Sequence, residues 1–183
     1  MTEETPQKPR GQRVFFALWP DDETRRAILE AAAPLVPASG GKAVKAENLH
    51  LTLRFIGNAD AGLMMRLRRG AEQVRGKPFS FELDRCGFWP QPQVLWLGCS
   101  STPPELLRLV VGLNTALGTE GVLVETRPFR PHVTLARHAS RAPGTESIEP
   151  ISWRAGSFSL LASESQEDGV RYRVLDTWPL DKR

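Results

Sequence analysis

The run Asn48-Leu49-His50-Leu51-Thr52-Leu53-Arg54-Phe55-Ile56-Gly57 decides the fold. Apolar and polar residues alternate through it with the period of two expected of a half-buried β-strand, and Gly57-Asn58 supplies a turn signal at its end. Alternation places His50 and Thr52 on one face and Leu51 and Leu53 on the other, so the greasy side is pinned to a core while an imidazole and a hydroxyl are offered together. The same frame recurs in Pro131-His132-Val133-Thr134-Leu135. The chain has three histidines, and two of them stand in it. If the two strands face each other about a pseudo-twofold axis, the cleft between them holds two imidazoles and two hydroxyls.

Working outward from this pair, Arg13 to Trp19 reads as a buried strand stopped by Pro20. A helix follows, capped by Asp21 or Asp22, carrying Ala27, Ile28, Ala31 and Ala32 at helical spacing and ending at Pro34. Ala43 to Lys45 reads as a short strand. Ala61 to Arg75 is an amphipathic helix, with Arg66, Arg68 and Arg69 on its solvated face. The runs from Phe79 to Leu83 and from Val94 to Cys99 form an antiparallel pair across a Pro90 to Pro92 turn. Thr102-Pro103-Pro104-Glu105 reads as a capping box opening a third helix with a Leu106 to Leu117 apolar stripe. Val122 to Glu125 reads as a strand, and Arg127 to Pro131 as a rigid basic loop feeding the strand His132 to Arg137. His138 to Pro150 is read as a surface loop. Ser157 to Ala162 and Val170 to Leu175 form a hairpin with Glu167-Asp168-Gly169 in its turn. This mixture is α+β with largely antiparallel strands. Residues 1–12 are expected to be a flexible polar tail, and residues 13–183 a single domain.

Composition bounds the function. The 183 residues are 40% hydrophobic and 25% charged, enough to build one globular core. The net charge of +3 is compatible with a polyanionic partner but is a small excess. Two cysteines, Cys86 and Cys99, cannot form a disulfide framework and have no zinc spacing. The amino terminus lacks the apolar stretch of a signal peptide, and the run from Val14 to Trp19 is far short of the roughly 20 residues a spanning helix needs. A cytosolic location is expected.

Two histidines near neutral pH can divide the labour of cleaving an ester: the neutral ring accepts a proton while the protonated ring donates one. Flanking threonine hydroxyls can hold nonbridging oxygens as charge builds at phosphorus. No acidic cluster or third ligand-spaced histidine points to a metal, and no cofactor motif is present. Arg54 shares the face of His50 and Thr52 if its strand is regular, and Arg130 lies just before His132, so both are candidates to meet phosphate. Strict alternation would turn Arg137 away from His132 unless a bulge intervenes or the strand stops near Ala136. His138 reads as an exposed loop residue, and Trp89 and Phe129 as packing rather than base-stacking groups.

The stretch from Asn48 to Gly57 and the stretch Arg127-Pro128-Phe129-Arg130-Pro131-His132-Val133-Thr134-Leu135-Ala136-Arg137 resemble the paired signatures of the bacterial and archaeal RNA 2′,3′-cyclic phosphodiesterases. These belong to the two-histidine phosphoesterase superfamily and were historically called 2′-5′ RNA ligases. The resemblance extends from Arg13 to Leu175, leaving out the first dozen residues and the loop at 138–150. It implies a bilobal α+β fold, two mainly antiparallel sheets with helices outside and a central cleft, and hydrolysis of a terminal 2′,3′-cyclic phosphate to a 2′-phosphate. In that scheme His50 is the proton donor and His132 the acceptor, with Thr52 and Thr134 on the phosphate and Arg137 as the second signature's terminal arginine. Weak 2′-5′ ligation would be the chemical reverse. The implied partner is RNA with a 2′,3′-cyclic end, met by a cytoplasmic monomer with no membrane attachment, metal or cofactor. The competing expectation is a noncatalytic RNA-end binding protein using the same cleft.

Overall fold

The computed structural model describes residues 11–180 apart from Val124 and Asp168. The order is β1 (Gln12–Leu18), α1 (Asp22–Ser39), β2 (Lys42–Ala43), β3 (Leu51–Ala59), α2 (Ala61–Gln73), β4 (Phe79–Trp89), β5 (Val94–Gly98), α3 (Pro104–Thr119), β6 (His132–Arg137), β7 (Ser147–Ala155), β8 (Ser157–Gln166) and β9 (Gly169–Pro179), with a 3₁₀ turn at Ala46–Asn48. The two His-x-Thr strands, β3 and β6, meet at one antiparallel rung, Leu51 opposite Val133. Each of these residues lies between the His and the Thr of its motif. An antiparallel pair between equivalent positions relates the two motifs by a local twofold axis. Both rung side chains are fully buried, which turns the His and Thr of each motif to the opposite face.

The sheet spreads outward from this rung in the order β7-β4-β5-β6-β3-β1-β8-β9, with β2 also on β6. All the pairings are antiparallel. The α+β, antiparallel expectation is met, while the two sheets expected separately are hydrogen-bonded into one at the Leu51–Val133 rung. Each His-x-Thr strand is reached alike, through strand, helix and antiparallel return: β1-α1-β3 on one side and β5-α3-β6 on the other. The helices then cross over. α1 packs against β6 and β7, whereas α3 packs against α2 and β3, so each half's connecting helix covers the other half. Phe16, Leu18, Leu67, Leu97, Leu113 and Trp153 are almost wholly buried in one core beneath the sheet. Each such side chain contributes about 1.5–3 kcal/mol of transfer free energy.

Several boundaries differ from the sequence reading. α1 runs past Pro34 to Ser39 because Pro34 and Pro37 sit on its exposed face while Leu35 and Ser39 remain buried. It ends at Gly40, whose φ of 69° suits a residue without Cβ. The capping box is not formed: Pro103 is the cap residue with no side-chain bond, and Glu105 pairs with Arg108 instead. Gly57 and Asn58 lie inside β3 rather than in a turn. The stretch read as loop at 138–150 gives way to β7 at Ser147, an edge strand paired with β4. Gln12, assigned to the tail, belongs to β1 opposite Ala59. No strand occurs at the described residues of Val122–Glu125; Val124, residues 1–10 of the tail and Asp168 of the hairpin turn lie outside the described residues. Among the described residues no helix is long and apolar enough to cross a membrane.

Candidate active site

Above the rung lies a cavity of about 590 Å³ lined by His50, Thr52, His132, Thr134 and Arg137, within the size range of small-ligand sites. The backbone fixes both rings identically. His50 Nδ1 donates to the Asn48 carbonyl at 2.7 Å and His132 Nδ1 donates to the Arg130 carbonyl at 2.8 Å, in each case two residues back. A carbonyl can only accept, so Nδ1 carries the proton and Nε2 is left as the group that gains or loses one. His50 Nε2 is 3.1 Å from Thr52 Oγ1; with the ring neutral, the Thr52 hydroxyl donates to it.

The rings differ in their surroundings. His50 packs against Phe15 and Tyr172, each with centroids 4.9 Å away, and lies nearly parallel to Trp19 at 6.3 Å. Burial is the main reason its pKa falls from 6.5 to about 4; the Asn48 carbonyl opposes the fall, while the charges of His132 and Arg137 add to it. His132 meets the edge of Trp89 at 4.6 Å and is also shifted downward, by burial first, against the Arg130 carbonyl, with the Arg137 charge adding. Trp89 is held in turn by Trp96, 5.1 Å away. Trp96 lies flat on the sheet because position 87 is glycine: a Cβ there would sit 2.2 Å from the indole.

A pair of matched bulges decides which arginine reaches the cavity. Along β3, Thr52 pairs with Ala17 and Arg54 with Phe16, leaving Leu53 as an extra residue. Along β6, Thr134 pairs with Trp96 and Ala136 with Leu95, leaving Leu135 extra. Each bulge comes three residues after its histidine and reverses the alternation beyond it. Arg137 is thereby turned into the cavity and Phe55, its counterpart, lines the same cavity, whereas Ala136 and Arg54 are buried behind. The placement of Arg54 beside His50 and Thr52 is therefore corrected: its guanidinium faces away, donates to the Leu123 carbonyl and lies 3.9 Å from Glu125. Glu125 is held by Arg127, whose hydrogen bonds keep its pKa down at about 2. The Arg130 side chain does not line the cavity either. It is exposed, and Arg130 serves His132 through its carbonyl.

Asn48, Tyr172, Lys42, Lys45 and His138 also line the cavity and were not singled out as site residues from the sequence. Asn48 is legible in hindsight as part of the first signature. Its buried amide donates to the Val170 carbonyl at 2.6 Å and accepts from the Tyr172 N–H at 3.0 Å, clipping β9 beside His50. His138, read as an exposed loop residue, is exposed but stands at the rim. Among the described lining residues there is no carboxylate, and Arg13, Lys42, Lys45 and Arg137 give the cavity a cationic wall suited to an anion.

Residues 18–96 match the LigT like Phosphoesterase family. The chain is 36% identical to the RNA 2′,3′-cyclic phosphodiesterase of Escherichia coli (strain K12), over 92% of this chain and 97% of that protein. It is 33% identical to the protein of the same name from Thermus thermophilus, over 92% of this chain and 90% of that one. The crystal structure of E. coli LigT in apo form superposes with a TM-score of 0.84 at 36% identity, covering 94% of this chain and 99% of that one. With likeness on this scale running through both motif strands, the chain belongs to the LigT-like phosphoesterase family.

Proposed function

We propose that this protein is a metal-independent RNA 2′,3′-cyclic phosphodiesterase that opens the terminal cyclic phosphate to a 2′-phosphate. The observation that carries the reading is the pair of imidazoles with Nδ1 committed to backbone carbonyls, lining one cationic cavity. The relatives described above bear the name of this activity.

In the proposed reaction, water attacks phosphorus and His132 Nε2 takes its proton. The P–O3′ bond breaks as His50 Nε2 delivers a proton to the departing 3′ oxygen, leaving a 2′-phosphate and a 3′-hydroxyl. Each proton transfer supplies about 10²–10⁴ in rate. The Thr52 and Thr134 hydroxyls donate to the nonbridging oxygens, and Arg137 faces their charge. Free His50, with its pKa at about 4, is neutral near pH 7. Its proton must therefore be taken up with the anionic ester, whose charge offsets the cost of burying the imidazolium. Protonation also makes Nε2 a donor and frees the Thr52 hydroxyl to turn to phosphate. A 5′-hydroxyl in the reverse reaction would give weak 2′-5′ ligation. The same reading takes residues 13–183 as one two-histidine phosphoesterase domain, bilobal about the cleft, working as a cytoplasmic monomer on RNA ends.

An oligoribonucleotide ending in a 2′,3′-cyclic phosphate, incubated with the protein and excess chelator, should yield a 2′-phosphate end. A 3′-phosphate product would refute the leaving group. Tight binding without any product would instead make the protein a noncatalytic RNA-end binder.

A further inference from the structure

The two imidazoles are not held equally firmly. Three aromatic rings and the Thr52 hydroxyl surround His50, whereas among the described residues His132 has one hydrogen bond, to the Arg130 carbonyl, and one ring contact, with Trp89. The torsion that turns an imidazole about its Cβ–Cγ bond is broad, so a single bond at Nδ1 leaves the ring room to swing. Trp89 closes that room, meeting the ring at 4.6 Å and 76°.

Trp89 is itself set from the sheet. Its ring lies 5.1 Å from that of Trp96, and the Trp96 indole occupies a slot made by glycines on neighbouring strands. A Cβ at Gly87 of β4 would sit 2.2 Å from the indole, and one at Gly98 of β5 would sit 3.0 Å from it. Gly87 is the cross-strand partner of Trp96, and Gly98 that of His132. Glycine weakens a strand and marks a close approach, here of an indole to the backbone. Trp96 Nε1 is buried with no hydrogen-bond partner among the described residues, which opposes folding, so its own hydrogen bonding does not explain where the indole lies.

We propose that Trp89 is the positioning residue of His132, and that Trp96, seated in the glycine slot, carries the geometry of the sheet to it. This rests on the phosphodiesterase reading and deepens it by naming what holds the proton acceptor in line: the Arg130 carbonyl fixes Nδ1, and the Trp89 ring fixes the rotation that points Nε2 at the cavity.

The test uses the oligoribonucleotide with a 2′,3′-cyclic end. Trp89→Ala should lower kcat by about 10- to 100-fold, the cost of misplacing a reacting group by about 1 Å, with KM within about twofold of wild type. Trp89→Phe, which keeps a ring at that position, should recover most of the loss. Gly87→Ala, remote from the cavity lining, should also lower kcat with KM kept, by displacing Trp96. In the free protein above neutral pH, the imidazole nitrogen signals of His132 should show Nδ1 protonated and Nε2 bare, and Trp89→Ala should move both toward the average of the two tautomers. A wild-type kcat in Trp89→Ala, a loss confined to KM, a Trp89→Phe protein as slow as Trp89→Ala, or His132 signals identical in wild type and Trp89→Ala would overturn the proposal. A wild-type protein that does not cleave the ester would count against the phosphodiesterase reading, and the imidazole signals would still decide for or against Trp89.

Discussion

The His50 half and the His132 half share a rung, a bulge position and a carbonyl anchor for the imidazole, yet they surround the ring differently. His50 is enclosed by Phe15, Trp19 and Tyr172, and His132 is touched by Trp89 alone among the aromatic rings of the described residues. Thr52 is hydrogen-bonded to its histidine, a contact with no counterpart found for Thr134 among the described residues. Behind the bulges one strand buries an arginine and the other an alanine. Geometry common to both halves is held by the main chain, whereas the side chains around it give two identical functional groups different proton affinities. In the free site that inequality opposes a donor role for His50, because a ring with a lowered pKa holds its proton less readily, and the anionic ester has to offset it.

Removing either ring tests the common part. His50→Ala and His132→Ala should each lower kcat by about 10²–10⁴ with circular dichroism unchanged, since both rings face the cavity rather than the core. A variant that kept the wild-type rate would exclude that histidine from proton transfer.

The threonines sharpen the difference between halves. Thr52→Val and Thr134→Val should each cost about tenfold or somewhat more in kcat/KM, the worth of one hydrogen bond to a charged oxygen. Only Thr52→Val should also move the pH profile, because it alone removes a partner of an imidazole Nε2. Profiles displaced equally in both variants would erase the distinction.

A further effect is on stability rather than rate. His50 has a folded-state pKa of about 4, below its ordinary 6.5, so the unfolded chain binds the proton more readily. Stability is then full above about pH 6.5 and declines as the pH falls toward about 4. His50→Gln should flatten that part of a denaturation series; a slope identical to wild type would place the burial cost elsewhere.

Much of this was legible because it depends on local pattern. Period-two alternation marked β3 and β4, short apolar runs marked β1 and β5, helical spacing marked the three helices, and the repeated frame of His50 and His132 marked the site. What escaped depends on register. A bulge at Leu53 has no signature in Leu-Arg-Phe, yet it exchanges the places of Arg54 and Phe55, while Arg137 was legible only on condition of such a bulge. β7 escaped because, at the sheet edge, Ser147, Glu149 and Pro150 need not be apolar. Asn48 and Tyr172 meet across more than a hundred residues, a contact no local pattern records.

The Leu51–Val133 rung also stores the separation of the two imidazoles in the main chain. Exchanging one aliphatic side chain for another at either position leaves that span as it was. Inserting a single residue between His50 and Leu51, or a slip of β3 by one against β6, would put His50 and Leu51 on the wrong faces relative to each other or to β6, while His132 and Val133 keep theirs. The enzyme's working distance is thus guarded by hydrogen-bond register, and the lesion it tolerates least is a change of length rather than of residue type.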